Sequence, residues 1–426
     1  MGKWKTERVG KLGYTYSGLS GKTADDFGEG APYIPYMNVF TNTIVDTEFL
    51  EYVKVGRREN QNEVKPGDAL FTTSSETPHE VGMSSVITKD VSPLYLNSFC
   101  FGYRLYDKSA FDSTFFAYLL RSEKVRRQMF ISAQGSTRHN LSKKNFNTTE
   151  VYYPEDVSEQ SKIAEILSTV DEAIKKTSDL IVKYKNIKVG IMQDLLANGI
   201  DKDGVIRSPQ THEYKDSSLG EIPVEWDVIQ IGDMASKVGS GSTPRGGQSV
   251  YEREGIMFLR SQNITHYGLD LDDVAYINER THRQMRRSWV EYGDVLLNIT
   301  GASIGRCCLY PFEIPANVNQ HVCIIRSSLG LNQARLLFRW LFSYGQRQID
   351  ILMAGGNREG LNFEQVKQIK MPLIRDEKEV QSILEVIDQA DQKIETERDY
   401  LAKLQDMKLG LMQDLLTNTV SVEALL

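Results

Sequence analysis

The chain has 426 residues, 40% apolar and 25% charged, and a domain usually takes about 100–200, so two to three ordinary globular domains are expected. Fifty-seven acidic residues against 50 basic leave a net charge of −7, which excludes a protein that coats nucleic acid by neutralising phosphates everywhere. Cys100, Cys307, Cys308 and Cys323 are too few for a disulfide framework and lack zinc spacing, no apolar run reaches the roughly 18 residues of a membrane span, and MGKWKTERVG has no apolar leader core, so a cytoplasmic protein with no membrane role is expected.

In chain order, Trp4, Val9 and Gly10 open the first stretch, and GLSGKT (18–23) follows. That segment ends like a phosphate-binding loop, but Tyr16 stands where the first glycine is required, so it reads as a polar loop. VKPGDALF (64–71) is a turn followed by a strand, and Val86–Thr88 and Phe101–Leu105 read as further strands. A helix is expected at about 112–131, then the loop GSTRHNLS (135–142), then a long helix over 163–196. Residues 197–225 are polar, with Gly, Pro and Ser, and read as an exposed connection. Beyond them come Trp226, Ile231 and Gly232, a strand at Met257–Leu259, VEYGDVLL (290–297) and a strand at Val322–Ile325. A helix at about 332–352, the loop GNREGLN (356–362) and a second long helix over 383–416 follow. Asp376–Glu379 reads as the solvated acidic first turn of that helix.

These elements are one series written twice. The two long helices align at an offset of 220 without a gap, with 13 of 34 positions identical and a shared MQDLL ending. Ile163, Leu167, Val170, Ile174, Ile181, Tyr184, Ile191 and Leu195 recur at steps of four and three, and Ile383 to Leu415 repeat the pattern. That is a heptad seam, interrupted in both copies by polar residues, Thr177 with Glu397 and Lys188 with Lys408. Charge repeats too: residues 101–150 hold nine Lys/Arg against four Asp/Glu, and 301–350 hold five against two.

No catalytic pattern emerges. The six histidines are scattered outside any metal spacing, and neither a nucleophile elbow nor a dinucleotide fingerprint is present. What remains is a set of loops rich in side chains that read bases. In the first copy these are Lys22, Tyr36, Asn38, then Thr72, Ser74, Ser75, Thr77 and His79, and Ser136, Thr137 and Arg138. In the second they are Thr243 and Arg245 in SGSTPRGG, then Arg260, Gln262 and Asn263, then Thr300, Ser303 and Arg306 in NITGASIGR, and Asn357 and Arg358. Arg reads guanine and Asn or Gln reads adenine, while Ser and Thr hold phosphates.

With these residues in view, the chain resembles the specificity (S) subunit of type I restriction-modification systems over nearly its whole length. The resemblance rests on GEIPVEWDVIQIGDM (220–234), SGSTPRGG, YGDVLLNITGASIGR (292–306), GGNREGLN (355–362) and the helices ending MQDLL. The first copy departs more, with SGLSGKT for SGSTPRGG and Tyr36–Met37–Asn38 for Ser261–Gln262–Asn263. The resemblance implies an α+β chain with two α/β target-recognition domains, 1–157 and 221–376. They are separated by two long helices, 158–198 and 377–420, forming an antiparallel coiled coil, with a linker at 199–220. It implies a non-catalytic subunit reading an asymmetric bipartite site in double-stranded DNA. The partners implied are two methyltransferase (modification) subunits and restriction (nuclease/translocase) subunits, with S-adenosylmethionine, ATP and Mg2+ held by them and none by this chain. The alternatives are a DNA enzyme with its own nuclease or methyltransferase activity, and a coiled-coil scaffold without a DNA role.

Overall fold

The repeated glycine–aspartate turns dictate the same local structure twice. Gly67 (φ 88°) and Gly293 (φ 83°) take left-handed backbone that disfavours a Cβ, and each delivers a buried carboxylate, Asp68 or Asp294. Asp68 accepts the Lys65 amide and a bidentate pair from Arg104 at 2.8 and 2.6 Å. Asp294 accepts the Glu291 amide and a bidentate pair from Arg326 at 2.8 and 2.8 Å. A buried carboxylate is tolerated when its oxygens are filled in this way.

The computed structural model describes residues 3–133, 135, 138–265, 268–354 and 360–422. The chain forms two units, Met1–Leu180 with Glu397–Leu426, and Ile181–Thr396. In the first unit the central sheet is antiparallel, in the order β1 (Gly13–Ser17), β4 (Cys100–Leu105), β2 (Ala69–Thr72), β3 (Ser84–Val86). A smaller sheet joins Glu51–Val53, Phe27–Ile34 and Tyr95–Leu96, the last pairing parallel. Trp4–Arg8 pairs with Glu150–Pro154. Helices α1 (Ser113–Arg121) and α2 (Glu123–Ser132) follow β4. The single helix expected at 112–131 is broken at Ser122, whose backbone is extended and whose hydroxyl bonds the Leu119 carbonyl.

The second unit repeats this order. Its antiparallel sheet runs β5 (Ala235–Ser240), β8 (Val322–Ser327), β6 (Val295–Asn298), β7 (Cys307–Leu309). Its smaller sheet joins Ala275–Ile277, Ile256–Leu259, Ala316–Val318 and Trp289–Val290, with one parallel pairing. Asp227–Gln230 pairs with Lys370–Leu373. The helix expected at 332–352 is likewise two, α4 (Leu331–Phe342) and α5 (Gly345–Ala354).

Two long helices, α3 (Val157–Asn198) and α6 (Glu377–Leu416), complete the units. In the first, Ile163, Ala164 and Leu167 near the start of α3 share a core with Leu415 and Leu416 at the end of α6. In the second, Met192, Leu195 and Leu196 at the end of α3 share a core with Ile383, Leu384 and Ile387 at the start of α6. Start meets end in both, so the helices run antiparallel. The seam lysines are paired: Lys408 with Asp171 at 2.6 Å, and Lys188 with Asp391.

Two expectations are corrected. The connection after α3 is docked rather than exposed: Ile200 is buried, Arg207 lies in a bidentate ion pair with Glu379, and Tyr214–Ser217 pairs with Gly220–Pro223. Glu379 is consequently buried rather than solvated, and also accepts the Trp226 indole at 3.1 Å. In the first unit Trp4 donates to Glu159 in the same way at 3.0 Å.

Candidate nucleic-acid interface

In each unit three loops meet where the second strand of the central sheet ends and the strand beside it begins. In the first unit, the loop after β2 pairs with the loop that follows α2: Ser74–Ser75 is bridged to His139–Asn140, and the Leu141 amide bonds the Thr73 carbonyl. A tight turn before β4 adds the third loop, in which the Asn97 carboxamide accepts the Phe99 amide and Thr73 bonds the Phe99 carbonyl. In the second unit, Thr300 is bridged to Gly360 and the Leu361 amide bonds Ile299. Asn319 accepts the His321 amide, and Ile299 bonds the His321 carbonyl. The hydrogen bonds that fix the loops are the same; the side chains they present are not.

The first unit gathers five of the expected residues around one open cleft of about 460 Å3: Tyr36, Ser74, Ser75, Thr77 and Arg138, joined by Glu76, Glu80 and Phe99. Tyr36 donates to the Ser74 carbonyl at 3.0 Å and stacks on Phe40, and burial raises its phenol above the usual value, which keeps it a neutral donor. Arg138 is exposed and lies 3.6 Å from Glu76. An exposed pair of this kind is weak, so the guanidinium is available to an anion or a base edge.

Four expected contacts are corrected in this unit. Asn38 is buried, donating to the Asp46 and Phe49 carbonyls and accepting from Asn42 and the Asp46 amide; its whole amide holds the loop at 42–49. The Lys22 side chain is buried in an ion pair with Glu59 and a bond to the Lys54 carbonyl. Thr72 is fully buried. His79 is exposed but stacks on Phe130 of α2 and is not among the residues that line the cleft. Ser136 and Thr137 lie outside the described residues.

The second unit carries a polar chain across its loops. Thr243 donates to Gln320 at 2.5 Å, Gln320 contacts one ring nitrogen of His321 at 3.0 Å, and the other ring nitrogen contacts Thr300. Arg245 is exposed and Arg306 half-buried, and the described residues form no ion pair with either. Arg260 and Gln262 are both tied to Asp273, at 2.8 Å to its carbonyl and 2.6 Å to its carboxylate. Ser303 accepts the Asn298 amide. Asn263 is corrected like Asn38: it is buried, donates to the Asp270 and Asp273 carbonyls and accepts the Arg260 amide. Asn357 and Arg358 lie outside the described residues.

Three residues of these surfaces went unread in the sequence: Phe99, Gln320 and His321. Setting LNSFC (96–100) against VNQHVC (318–323) aligns the two asparagines that make the turn and marks the positions after them. Among the described residues no group of three His, Cys, Asp or Glu could hold a metal ion, and no helix is long and apolar enough to cross a membrane.

The family model for the type I restriction modification DNA specificity domain matches twice, at residues 2–183 and 223–406. The type I restriction enzyme MjaVIII specificity subunit of Methanocaldococcus jannaschii is 23% identical over 433 residues, covering 99% of this chain and 94% of that protein. Among solved structures, the S subunit of a type I restriction-modification system from M. genitalium superposes with a TM-score of 0.54 at 16% identity, covering 97% of this chain and 96% of its own. A chain from a structure of type I R-M complex assembly and conformational transition gives a TM-score of 0.63 at 13% identity, covering 97% of both chains.

Proposed function

Because the chain belongs to the family of type I restriction modification DNA specificity domains, of which it carries two, we propose that it is the DNA sequence-recognition subunit of a type I restriction-modification enzyme. One observation carries this reading beyond the family. In each unit the same backbone hydrogen bonds assemble three loops, and the loops present different polar side chains. A shared scaffold with different reading groups suits two unlike halves of one asymmetric, bipartite site in double-stranded DNA.

Residues 1–157 and 221–376 serve as target-recognition domains. Arg138, Arg245 and Arg306 are the side chains best placed to reach guanine edges or phosphates, and Thr77, Thr243 and Thr300 to hold phosphates. Ser74, Ser75 and Tyr36 shape the first cleft, while Arg260, Gln262 and Ser303 set the form of neighbouring loops. The chain catalyses nothing itself. Two modification subunits and the restriction subunits bring the methyl donor S-adenosylmethionine, ATP and Mg2+, and assemble on it in the cytoplasm. With a net charge of −7, much of the phosphate neutralisation falls to those partners.

The test is the methylated motif. Alone, the purified chain should neither methylate nor cleave DNA; with its modification subunit it should direct methylation to a two-part motif, read by sequencing the methylome. Replacing residues 1–155 with the matching domain of a relative should change one half of that motif only. Methyl transfer by the lone chain, or a change in both halves, would overturn the proposal.

A further inference from the structure

Phe99 and His321 hold the same place in the two units. Each follows the asparagine whose carboxamide accepts its amide, at 2.8 Å for Phe99 and 3.1 Å for His321. Each has its carbonyl bonded, at 3.0 Å, by the residue one beyond the central strand, Thr73 or Ile299. Their side chains do different things. Both ring nitrogens of His321 are engaged, with Thr300 and with Gln320, which ties two reading loops together. Ser98 replaces Gln320 in the first unit, and a phenyl ring cannot make such a tie.

Phe99 instead stands 64% exposed, lining the cleft with Met37, itself 50% exposed, and with Tyr36 and Arg138. A large aromatic left in water at the mouth of a cleft forgoes the free energy of burial until something covers it. On the reading proposed above, the covering surface is the major groove of DNA. Base edges there carry hydrogen-bonding groups and one apolar group, the C5-methyl of thymine. We propose that Phe99 is a specificity-determining residue of the first half-site, selecting thymine at one position through its methyl group. His321 does not read a base; it positions Thr243 and Thr300. The first half-site is therefore read partly by apolar contact, whereas in the second the equivalent position holds loops in place.

This rests on the specificity-subunit reading, and the experiment separates the two. Full-length chain assembled with its modification subunit is titrated against duplexes in which each thymine of the bipartite motif is replaced, one at a time, by deoxyuridine, which lacks only the methyl. The half-site that changes when residues 1–155 are exchanged identifies the first half. One replacement there should weaken wild-type binding about fourfold, the worth of one buried methyl-sized group. In Phe99→Ala the same replacement should have no effect, the unmodified duplex should bind about as the deoxyuridine one does to wild type, and the methylome should show that position relaxed. Phe99→Leu should keep part of the discrimination, and replacements in the second half should be indifferent to Phe99. The inference is overturned if no deoxyuridine effect depends on Phe99, if the first half-site has no thymine on either strand, or if Phe99→Ala weakens all duplexes equally. A bipartite motif in any of those cases leaves the specificity-subunit reading standing; absence of any motif removes both.

Discussion

Lys408, in the apolar seam of the second long helix, places its ammonium 2.6 Å from the carboxylate of Asp171 in the first. Lys188 and Asp391, one repeat apart from them, form the same pair with the helices exchanged. Each aspartate also takes a bond from a helix of the globular part: Asp171 from Tyr118 of α1 at 2.7 Å, Asp391 from Arg339 of α4 at 2.8 Å. The lysine breaks in the seam are thus where each globular part is fastened to the helix pair.

Removing Asp171 leaves Lys408 and the Tyr118 hydroxyl without their partner in a site where both charged side chains are less than a third exposed. Asp171→Ala should cost about 2–3 kcal/mol, seen as a lowered urea midpoint. Adding Lys408→Met should recover part of the loss. Additive losses in the double variant would show that the two residues are uncoupled.

Asn38 and Asn263 hold loops by amides that are buried and bonded. Asn38→Ala and Asn263→Ala should each lower stability by about 2–4 kcal/mol, because several buried polar groups lose partners at once. At a temperature where the variants stay folded, the methylated motif should be unchanged. A relaxed base position with unchanged stability would restore these residues to the reading surface.

Arg245 and Arg306 divide by what they touch. If either is bidentate to guanine, its change to Ala should cost roughly 1–3 kcal/mol and relax one position of the second half-site. A phosphate contact would instead weaken all sequences about equally and reduce the salt slope by about one. Titration of matched and mismatched duplexes at several salt concentrations distinguishes these, and indifference of both variants would take the loops off the DNA.

All four cysteines are buried. Burial pushes the Cys307 and Cys323 thiols up to about 12, and raises Cys100 and Cys308 as well. Native protein at pH 8 should react with a disulfide reagent at least about a hundredfold more slowly than denatured protein. The sign for stability follows. These thiols stay protonated in the fold while the unfolded chain loses protons above about pH 8.5. Their contribution is full below that pH and declines as pH rises toward 12, so the urea midpoint should fall between pH 8 and 10. A fast-reacting thiol in native protein would contradict the burial.

The duplication was legible because both copies keep groups that must be buried together: the Gly–Asp turns, Trp4 and Trp226, and the heptad seam. Residue type alone does not say which way an amide faces, so Asn38 and Asn263 read as surface groups although the loops close around them. Lys22 and Glu379 were misread for the same reason, since a charge is taken as solvated unless its partner is visible, and Glu59 and Arg207 lie far off in the sequence. Phe99 escaped because an aromatic residue before a strand reads as core. Only its equivalence to His321 marks it as a position where the copies part.

The first unit draws its last pieces, Leu415, Leu416 and the buried Val422, from the far end of the chain, whereas the second is built from one continuous stretch. Synthesis from the N-terminus at about 5–20 residues per second therefore finishes the second half first. The domain made earliest waits on the ribosome with part of its core unfilled until the final helix emerges. A premature stop in that helix beyond Thr396 would injure the beginning of the protein, so a chain shortened there would carry a damaged first reader and a complete second one.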